Sequence, residues 1–109
     1  MSVSTDKYCP IIRPTRLIGD VWIILIVKCL LNGAKRFNQI REEIPEITSR
    51  TLSARLKFLE QQKIINRVQY PEIPPRVEYS LTEMGEGLKG IVEAIEDYGN
   101  KYMCGSNRN

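Results

Sequence analysis

The sequence of 109 residues contains no histidine, so the side chain that most often carries out general acid–base catalysis is missing. Cysteine is scarce too, because only Cys9, Cys29 and Cys104 occur and no Cys-x-x-Cys pair is present. Without histidine and paired cysteines, neither a zinc site nor a disulfide framework is expected. No Ser/His/Asp set and no glycine-rich phosphate loop is visible either. We therefore predict a non-enzymatic protein that needs no metal and no cofactor.

Long apolar runs are also absent. The most apolar stretch, residues 21–27, is followed by Lys28 and is much shorter than the roughly 20 residues that span a bilayer. The first ten residues lack the apolar region of a signal peptide. Because unpaired cysteines fit a reducing compartment, these features predict a cytoplasmic protein without a membrane partner.

The composition that remains is typical of one globular domain, with 42% hydrophobic and 27% charged residues. We predict a single domain over residues 1–109 with its core over residues 9–102. The ends, at residues 1–7 and 105–109, are expected to be mobile.

Charge is distributed unevenly along the chain. Residues 34–76 hold nine basic and five acidic residues, a net charge of +4, whereas residues 77–109 hold three basic and six acidic residues, a net charge of −3. A basic middle segment is typical of a module that binds a polyanion, although chance scatter of solvated charge would give the same pattern.

The first third of the chain predicts two helical elements. Pro10 and Pro14 indicate a short, irregular first element that becomes helical only after Pro14. Asp20 is expected to cap an apolar helix over residues 21–31, because its carboxylate can accept from unpaired backbone N–H groups. Residues 32–33, Asn-Gly, end that helix since both accept a left-handed conformation.

The next segment predicts a helix-turn-helix. Residues 36–44 carry one apolar stripe and stop at Pro45, and a second helix runs from Thr48 or Ser49 to about Gln62. At about 100° per residue, the second helix separates an apolar side from an outer, partly basic side. The apolar side holds Leu52, Leu56 and Leu59, and the outer side holds Arg50, Ser53, Ala54 and Lys57.

Two strand-like runs follow, residues 64–70 and 76–81, separated by the proline-rich tip Pro-Glu-Ile-Pro-Pro. This hairpin is the predicted wing. A last helix is expected from Thr82 to Tyr102. The predicted fold class is therefore mainly α (α+β), a winged helix-turn-helix with a two-stranded wing, in which the N- and C-terminal helices form a dimer interface.

The dimer prediction depends on the long apolar stripe of the last helix. Four glycines weaken this helix, by roughly 0.5–1 kcal/mol each where they lie inside it, so it needs a partner surface. We expect a second subunit to supply part of that surface. The predicted interface residues are Leu88, Ile91, Val92, Ile95, Tyr98 and Tyr102.

Several local motifs occur in a familiar order. They are Cys9-Pro10, LIGDVW at 17–22, KRFNQIREEIPEIT at 35–48, LSARLKFLE at 52–60 and YPEIPPRVEYSLTEMG at 70–85. With these motifs the chain resembles the HxlR-type winged helix-turn-helix regulators of bacteria and archaea over roughly residues 9–102. It departs from the usual IGGKW at residues 18–22. Its recognition helix is also poorer in glutamine and lysine over residues 49–55, so no operator sequence carries over.

The resemblance implies homodimers that place two recognition helices in successive major grooves of double-stranded DNA, about 34–36 Å apart. The residues themselves agree with DNA contact. Arg50 is the best candidate for contacting guanine, since its fork can pair with O6 and N7. Arg55 could equally contact phosphate or form a structural ion pair. The complete predicted DNA-binding set is Lys35, Arg36, Thr48, Ser49, Arg50, Ser53, Arg55, Lys57 and Arg76.

The resemblance also makes Cys9 a candidate redox sensor, because a cysteine in this position responds to oxidants or electrophiles in some branches of the family. The alternative is a buried or incidental thiol. Cys29, inside the apolar helix, is expected to be inert.

The function predicted overall is a sequence-specific transcriptional regulator acting as a homodimer on a pseudo-palindromic operator, with repression favoured and activation left open by the sequence. The alternatives are a winged-helix module for protein–protein interaction and a non-specific architectural DNA binder. The sequence leaves any small-molecule effector unidentified.

Overall fold

The computed structural model describes residues 8–104, and the predicted mobile ends at residues 1–7 and 105–109 lie outside this range. Within it the chain forms six helices and one two-stranded antiparallel sheet, which confirms the predicted mainly α (α+β) winged helix-turn-helix. The elements are α1 (Cys9–Ile18), α2 (Val21–Leu30), α3 (Phe37–Glu43), α4 (Ser49–Gln61), β1 (Ile65–Tyr70), β2 (Arg76–Leu81), α5 (Glu83–Glu86) and α6 (Lys89–Tyr102).

The first element differs from the prediction, because α1 is helical from Cys9 onward and keeps Pro14 inside it. Pro10 lies in the first turn, where a missing N–H costs nothing. Pro14 removes only the N–H that would bond to the carbonyl of Pro10, which is one hydrogen bond at an exposed position. The helix therefore tolerates both prolines.

Helix α2 is the centre of the core. As predicted, Asp20 caps it, and its Oδ1 accepts from the backbone N–H groups of Trp22 and Ile23 at 2.9 and 3.2 Å. The buried side chains of α2 pack against those of α3, the following turn, α4 and the start of β1. This buried set is Ile23, Ile26, Val27, Cys29, Leu30, Ile40, Ile44, Ile47, Leu52, Leu56, Leu59, Ile64, Ile65, Leu88 and Val92.

Helices α3 and α4 form the predicted helix-turn-helix. Arg36 precedes α3, and its N–H donates to the side-chain oxygen of Gln39 at 2.7 Å. The hydroxyl of Thr48 accepts from the N–H of Thr51 at 3.1 Å and so caps α4. Ile47, buried in the turn between the helices, fixes their relative position.

The wing pairs β1 with β2 in the register Ile65 to Leu81 and Tyr70 to Arg76. Lys35, just before α3, adds a short bridge to the outer edge of β2 by exchanging two backbone hydrogen bonds with Tyr79, of 2.9 and 2.8 Å. The wing is therefore attached directly to the first helix of the helix-turn-helix.

The C-terminal helix is not continuous, contrary to the prediction of one helix from Thr82 to Tyr102. It breaks between α5 and α6, where the N–H of Leu88 bonds to the carbonyl of Gly85 at 3.0 Å in a tighter turn. Gly85 is buried against the carbonyl of Ile64, and a side chain there would collide with that oxygen. The break turns Leu88 into the core, where α6 begins.

No helix within residues 8–104 is both long and apolar enough to cross a membrane.

Candidate nucleic-acid interface

The outer face of α4 presents Ser49, Arg50, Ser53 and Lys57, all of which are exposed. Among the residues that the structure describes, no carboxylate lies within 4.0 Å of the charged nitrogens of Arg50 or Lys57. These two cations are therefore free to meet an external anion. Ser49 is the first residue of α4, where backbone N–H groups point outward and favour phosphate.

Thr48 uses its hydroxyl within the protein, because that oxygen caps α4. The residue as a whole is exposed. Thr48 thus positions the start of α4.

Arg55 forms the ion pair that sequence reasoning held open. Its Nη2 lies 2.9 Å and its Nε 3.1 Å from Oδ2 of Asp20, so two guanidinium nitrogens engage one carboxylate oxygen. Partial burial opposes ionisation of Asp20, but the hydrogen bonds from Arg55 and from the α2 backbone, with the charge of Arg55, lower its pKa below the ordinary value. One carboxylate thus caps α2 and holds α4 in place.

Replacing Asp20 with alanine is expected to lower the free energy of unfolding by about 1–2 kcal/mol, chiefly through the lost cap. Asp20→Asn keeps the cap and removes the charge, so it should cost less. Because the folded pKa lies below the unfolded one, the stabilisation is present above about pH 4 and disappears as the pH falls through the folded pKa. Urea unfolding of both variants at neutral and acidic pH measures this. A gap between wild type and Asp20→Asn that stays constant with pH would contradict it.

Lys35 and Arg36 differ in availability. The Lys35 side chain is only 15% exposed and its Nζ lies 3.4 Å from Oε2 of Glu43, whereas Arg36 is exposed. Within the described part of the chain, Arg36 has no carboxylate within 4.0 Å. Of this predicted pair, only Arg36 offers an uncommitted charge at the N-terminus of α3.

Arg76, predicted to reach DNA from the wing, is engaged by its neighbours. Its two terminal nitrogens each lie 2.8 Å from a carboxylate oxygen, one of Glu72 and one of Glu78, and its guanidinium stacks 4.0 Å from the ring centre of Tyr70. The hydrogen bond to Glu72 and the charges of both carboxylates raise the pKa of Arg76. The tip of the wing thus carries more acidic than basic charge.

Arg67 is a candidate contact that sequence reasoning missed. It is exposed on β1 opposite Tyr79, and it lines a crease of about 360 Å³ between α4 and the wing together with Ser53 and Lys57. Glu60 also lines the crease, but no carboxylate of residues 8–104 comes within 4.0 Å of the Arg67 guanidinium. Two-residue alternation places Arg67 on the same face as the buried Ile65, so the sequence pattern gave no signal that its side chain is exposed.

The three cysteines occupy different environments. Cys29 is buried and its thiol donates to Oε1 of Glu43 at 3.3 Å; burial, this hydrogen bond and the negative charge of Glu43 raise the pKa of Cys29 to about 12. The thiol therefore stays protonated, as expected for an inert cysteine. Cys9 is partly exposed at the first position of α1, and Cys104 is exposed after α6.

The predicted apolar stripe of the last helix is divided. Leu88 and Val92 are 9% and 5% exposed and belong to the core of this chain, so they have little surface left for a partner. Tyr98 and Tyr102 are 60% and 63% exposed, and their ring centres lie 5.0 Å apart. With Ile91 and Ile95, which are also exposed, they form what we call the α6 apolar face.

A family model described as HxlR-like helix-turn-helix matches residues 17–107. The chain belongs to the HxlR-like helix-turn-helix family. It is 40% identical over 101 residues to the HTH-type transcriptional regulator YdeP of Bacillus subtilis (strain 168), covering 91% of this chain and 79% of that protein. The resemblance predicted from its motifs is thereby confirmed.

Two solved structures of regulators are similar to this HxlR-like chain. The redox regulator HypR in its oxidised form has a TM-score of 0.81 and 39% identity, covering 93% of this chain and 99% of that one. The reduced form of the transcriptional regulator YodB from B. subtilis has a TM-score of 0.76 and 35% identity, with 93% and 96% covered. The chain is thus a helix-turn-helix transcriptional regulator, and its family membership confirms that it is not an enzyme.

Proposed function

We propose that the protein is a sequence-specific repressor that binds double-stranded DNA as a homodimer on a pseudo-palindromic operator. The single observation that carries the proposal is the outer face of α4, where Arg50 and Lys57 are exposed and unpaired among the described residues. A recognition helix that enters a major groove needs such uncommitted donors at its outer side.

Within this proposal the contacts have separate roles. Arg50 and Ser53 contact base edges, since they lie near the N-terminal end of α4, the end of a recognition helix that contacts base edges. Arg36, Ser49, Lys57 and the newly recognised Arg67 bind backbone phosphates on either side. Arg55 is instead a positioning residue, because its guanidinium is held by Asp20.

The α6 apolar face supports the dimer. This face places four large apolar side chains, two of them tyrosines, next to one another at the surface. Monomeric proteins rarely expose such a contiguous apolar patch, and aromatic residues are enriched at subunit interfaces. A twofold pairing through this face and α1 would give two copies of α4 related by symmetry, as a pseudo-palindrome requires.

A gel shift with the DNA upstream of the protein's own gene tests the proposal. We expect a discrete complex that unlabelled upstream DNA removes and random competitor DNA does not. Equal competition by random DNA would indicate the non-specific architectural binder. Absence of any complex, with folded protein, would favour the winged-helix module for protein–protein interaction.

We further propose that oxidation of Cys9 changes DNA binding. The support is its partly exposed position at the start of α1 and the similarity of the chain to HypR, which is named as a redox regulator. Peroxide converts an accessible thiol to a sulfenic acid, a polar group beside a helix of the proposed interface. The buried, protonated Cys29 does not compete for the oxidant.

Treating the protein with peroxide is expected to alter its affinity for the upstream DNA several-fold. Cys9→Ser should abolish the response, and Cys104→Ser, which removes the other described cysteine that is not buried, should leave it intact. Fluorescence anisotropy before and after treatment measures the change. The same response in Cys9→Ser as in wild type would refute the role of Cys9.

A further inference from the structure

Helices α1 and α4 border an open groove on the side of α4 that faces away from the wing. It consists of two adjoining cavities, of about 300 and 340 Å³, that share Arg16, Leu17 and Phe58. The first cavity extends to the Asp20–Arg55 ion pair and the second to Arg13 and Gln62. We call the combined space the α1–α4 groove.

The groove carries unbalanced positive charge. Arg13 and Arg16 lie three residues apart, hence on one side of α1, and both are exposed. No carboxylate within residues 8–104 lies within 4.0 Å of either guanidinium. The only acidic residue that lines the groove is Asp20, whose charge Arg55 already neutralises. The guanidinium groups of Arg13 and Arg16 are thus available to an anion that does not come from the described part of the chain.

Other residues that line the groove are apolar. Leu17 and Phe58 are half-buried and Ile23 is buried, so they give an apolar wall beside the guanidinium groups. Ordinary small-molecule sites combine such a wall with a few charged or polar groups, and they start at volumes of about 300 Å³. A ligand that fits has one carboxylate and a compact apolar body.

We propose that the α1–α4 groove binds a small apolar carboxylate, with the carboxylate on Arg13 and Arg16 and the apolar body against Leu17 and Phe58. Arginine suits this task because its fork pairs with both oxygens of a carboxylate. An aromatic body gains additional offset stacking on Phe58.

A small molecule fits this groove better than two macromolecules that also carry acidic groups. A second copy that pairs through the α6 apolar face and α1 would meet the side of α1 that carries the exposed Ile11, which is opposite to Arg13 and Arg16. DNA would approach the outer face of α4, whereas Arg55, Phe58 and Gln62 line the groove from the flank opposite to the wing.

Binding in the groove acts on the recognition helix. Three groove residues, Arg55, Phe58 and Gln62, belong to α4 or its C-terminal end, and Arg55 is the residue that attaches α4 to the α2 cap. An occupant that packs there stabilises one position of α4 relative to α1. This second statement, that the ligand changes DNA affinity, rests on the proposed function, but ligand binding itself does not.

Titration of the free full-length protein with benzoate and with octanoate, followed by amide shifts in NMR spectra, tests the binding. We expect saturable shifts at Arg16, Leu17 and Phe58, and no such shifts with benzamide, which has the shape of benzoate without its charge. The double variant Arg13→Gln/Arg16→Gln should bind at least roughly tenfold more weakly. Arg41→Gln removes an exposed, similarly unpaired arginine of α3 and should bind like wild type.

Several outcomes would overturn the inference. They are the absence of saturable shifts with either acid, equal shifts with benzamide, and unchanged binding in the double variant with a native amide spectrum. Conversion of a dimer to a monomer by the double variant, measured by sedimentation, would show that a second copy occupies the groove. No DNA is present in the titration, so its failure would not mean that the proposed DNA binding fails. DNA binding is tested separately by measuring anisotropy on the upstream DNA with and without benzoate.

Discussion

Replacing Arg50 with alanine is expected to weaken binding to the operator by about 1–3 kcal/mol, or roughly 5- to 150-fold, while random DNA loses much less. The reason is geometric: Arg50 is exposed near the N-terminal end of α4 and has no carboxylate partner among the described residues. A bidentate contact to guanine would then have no substitute. Anisotropy titrations on the operator and on random duplexes of equal length measure both losses.

Lys89→Ala is the control for charge, since Lys89 is an exposed cation at the start of α6 and outside the helix-turn-helix. It should change both affinities little. Arg50→Lys keeps the charge but not the fork, so it should retain binding to random DNA and lose operator preference. Equal losses on both duplexes in Arg50→Ala would reduce Arg50 to a phosphate contact.

Placing aspartate at Ile95 and Tyr98 is expected to convert the proposed dimer to a monomer and to lower operator affinity by a factor of roughly 100 or more. Two linked recognition helices gain affinity because binding of the first raises the effective concentration of the second. Two carboxylates in the middle of the α6 apolar face would be buried without partners in the dimer. Sedimentation equilibrium and operator titration measure the two effects.

Asn100→Asp is the matched control, because it adds aspartate to the same helix at an exposed position facing away from the α6 apolar face. It should remain dimeric and bind as wild type does. Far-ultraviolet circular dichroism has to show that the double variant keeps its helices, since Leu88 and Val92 still anchor α6 in the core. A double variant that stays dimeric would remove the α6 apolar face from the interface.

The sequence predicts the elements of this fold well where local chemistry decides. Asp20 and Thr48 are both strong caps, and each begins a helix as expected. Glycine at positions 85 and 87 was recognised as weakening a helix, but not as a break. The close approach of Gly85 to the carbonyl of Ile64, a contact between distant parts of the chain, requires glycine inside α5, and the helix breaks two residues later at residues 87–88.

The candidate site is less predictable than the fold, because whether a basic side chain is free or paired with a carboxylate depends on which residues the fold brings together. Asp20 and Arg55 are 35 positions apart in the sequence, so only the packing of α2 against α4 reveals their ion pair. The helical periodicity of the sequence likewise places Val92 and Ile95 in one apolar stripe, although their side chains differ in direction by about 60° around α6. Val92 is therefore buried in the core, whereas Ile95 stays exposed.

Pairing of Lys35, Arg55 and Arg76 with internal carboxylates has a consequence for counterion release. Each phosphate neutralised by a protein cation steepens the plot of log affinity against log salt concentration by about 0.9. If Arg36, Lys57 and Arg67 neutralise phosphates in each subunit while Arg50 contacts a base, the slope for a dimer is about −5, whereas including the three paired cations would bring it to about −11. If the proposed DNA binding holds, the internal ion pairs make it less sensitive to ionic strength than the number of basic residues alone suggests.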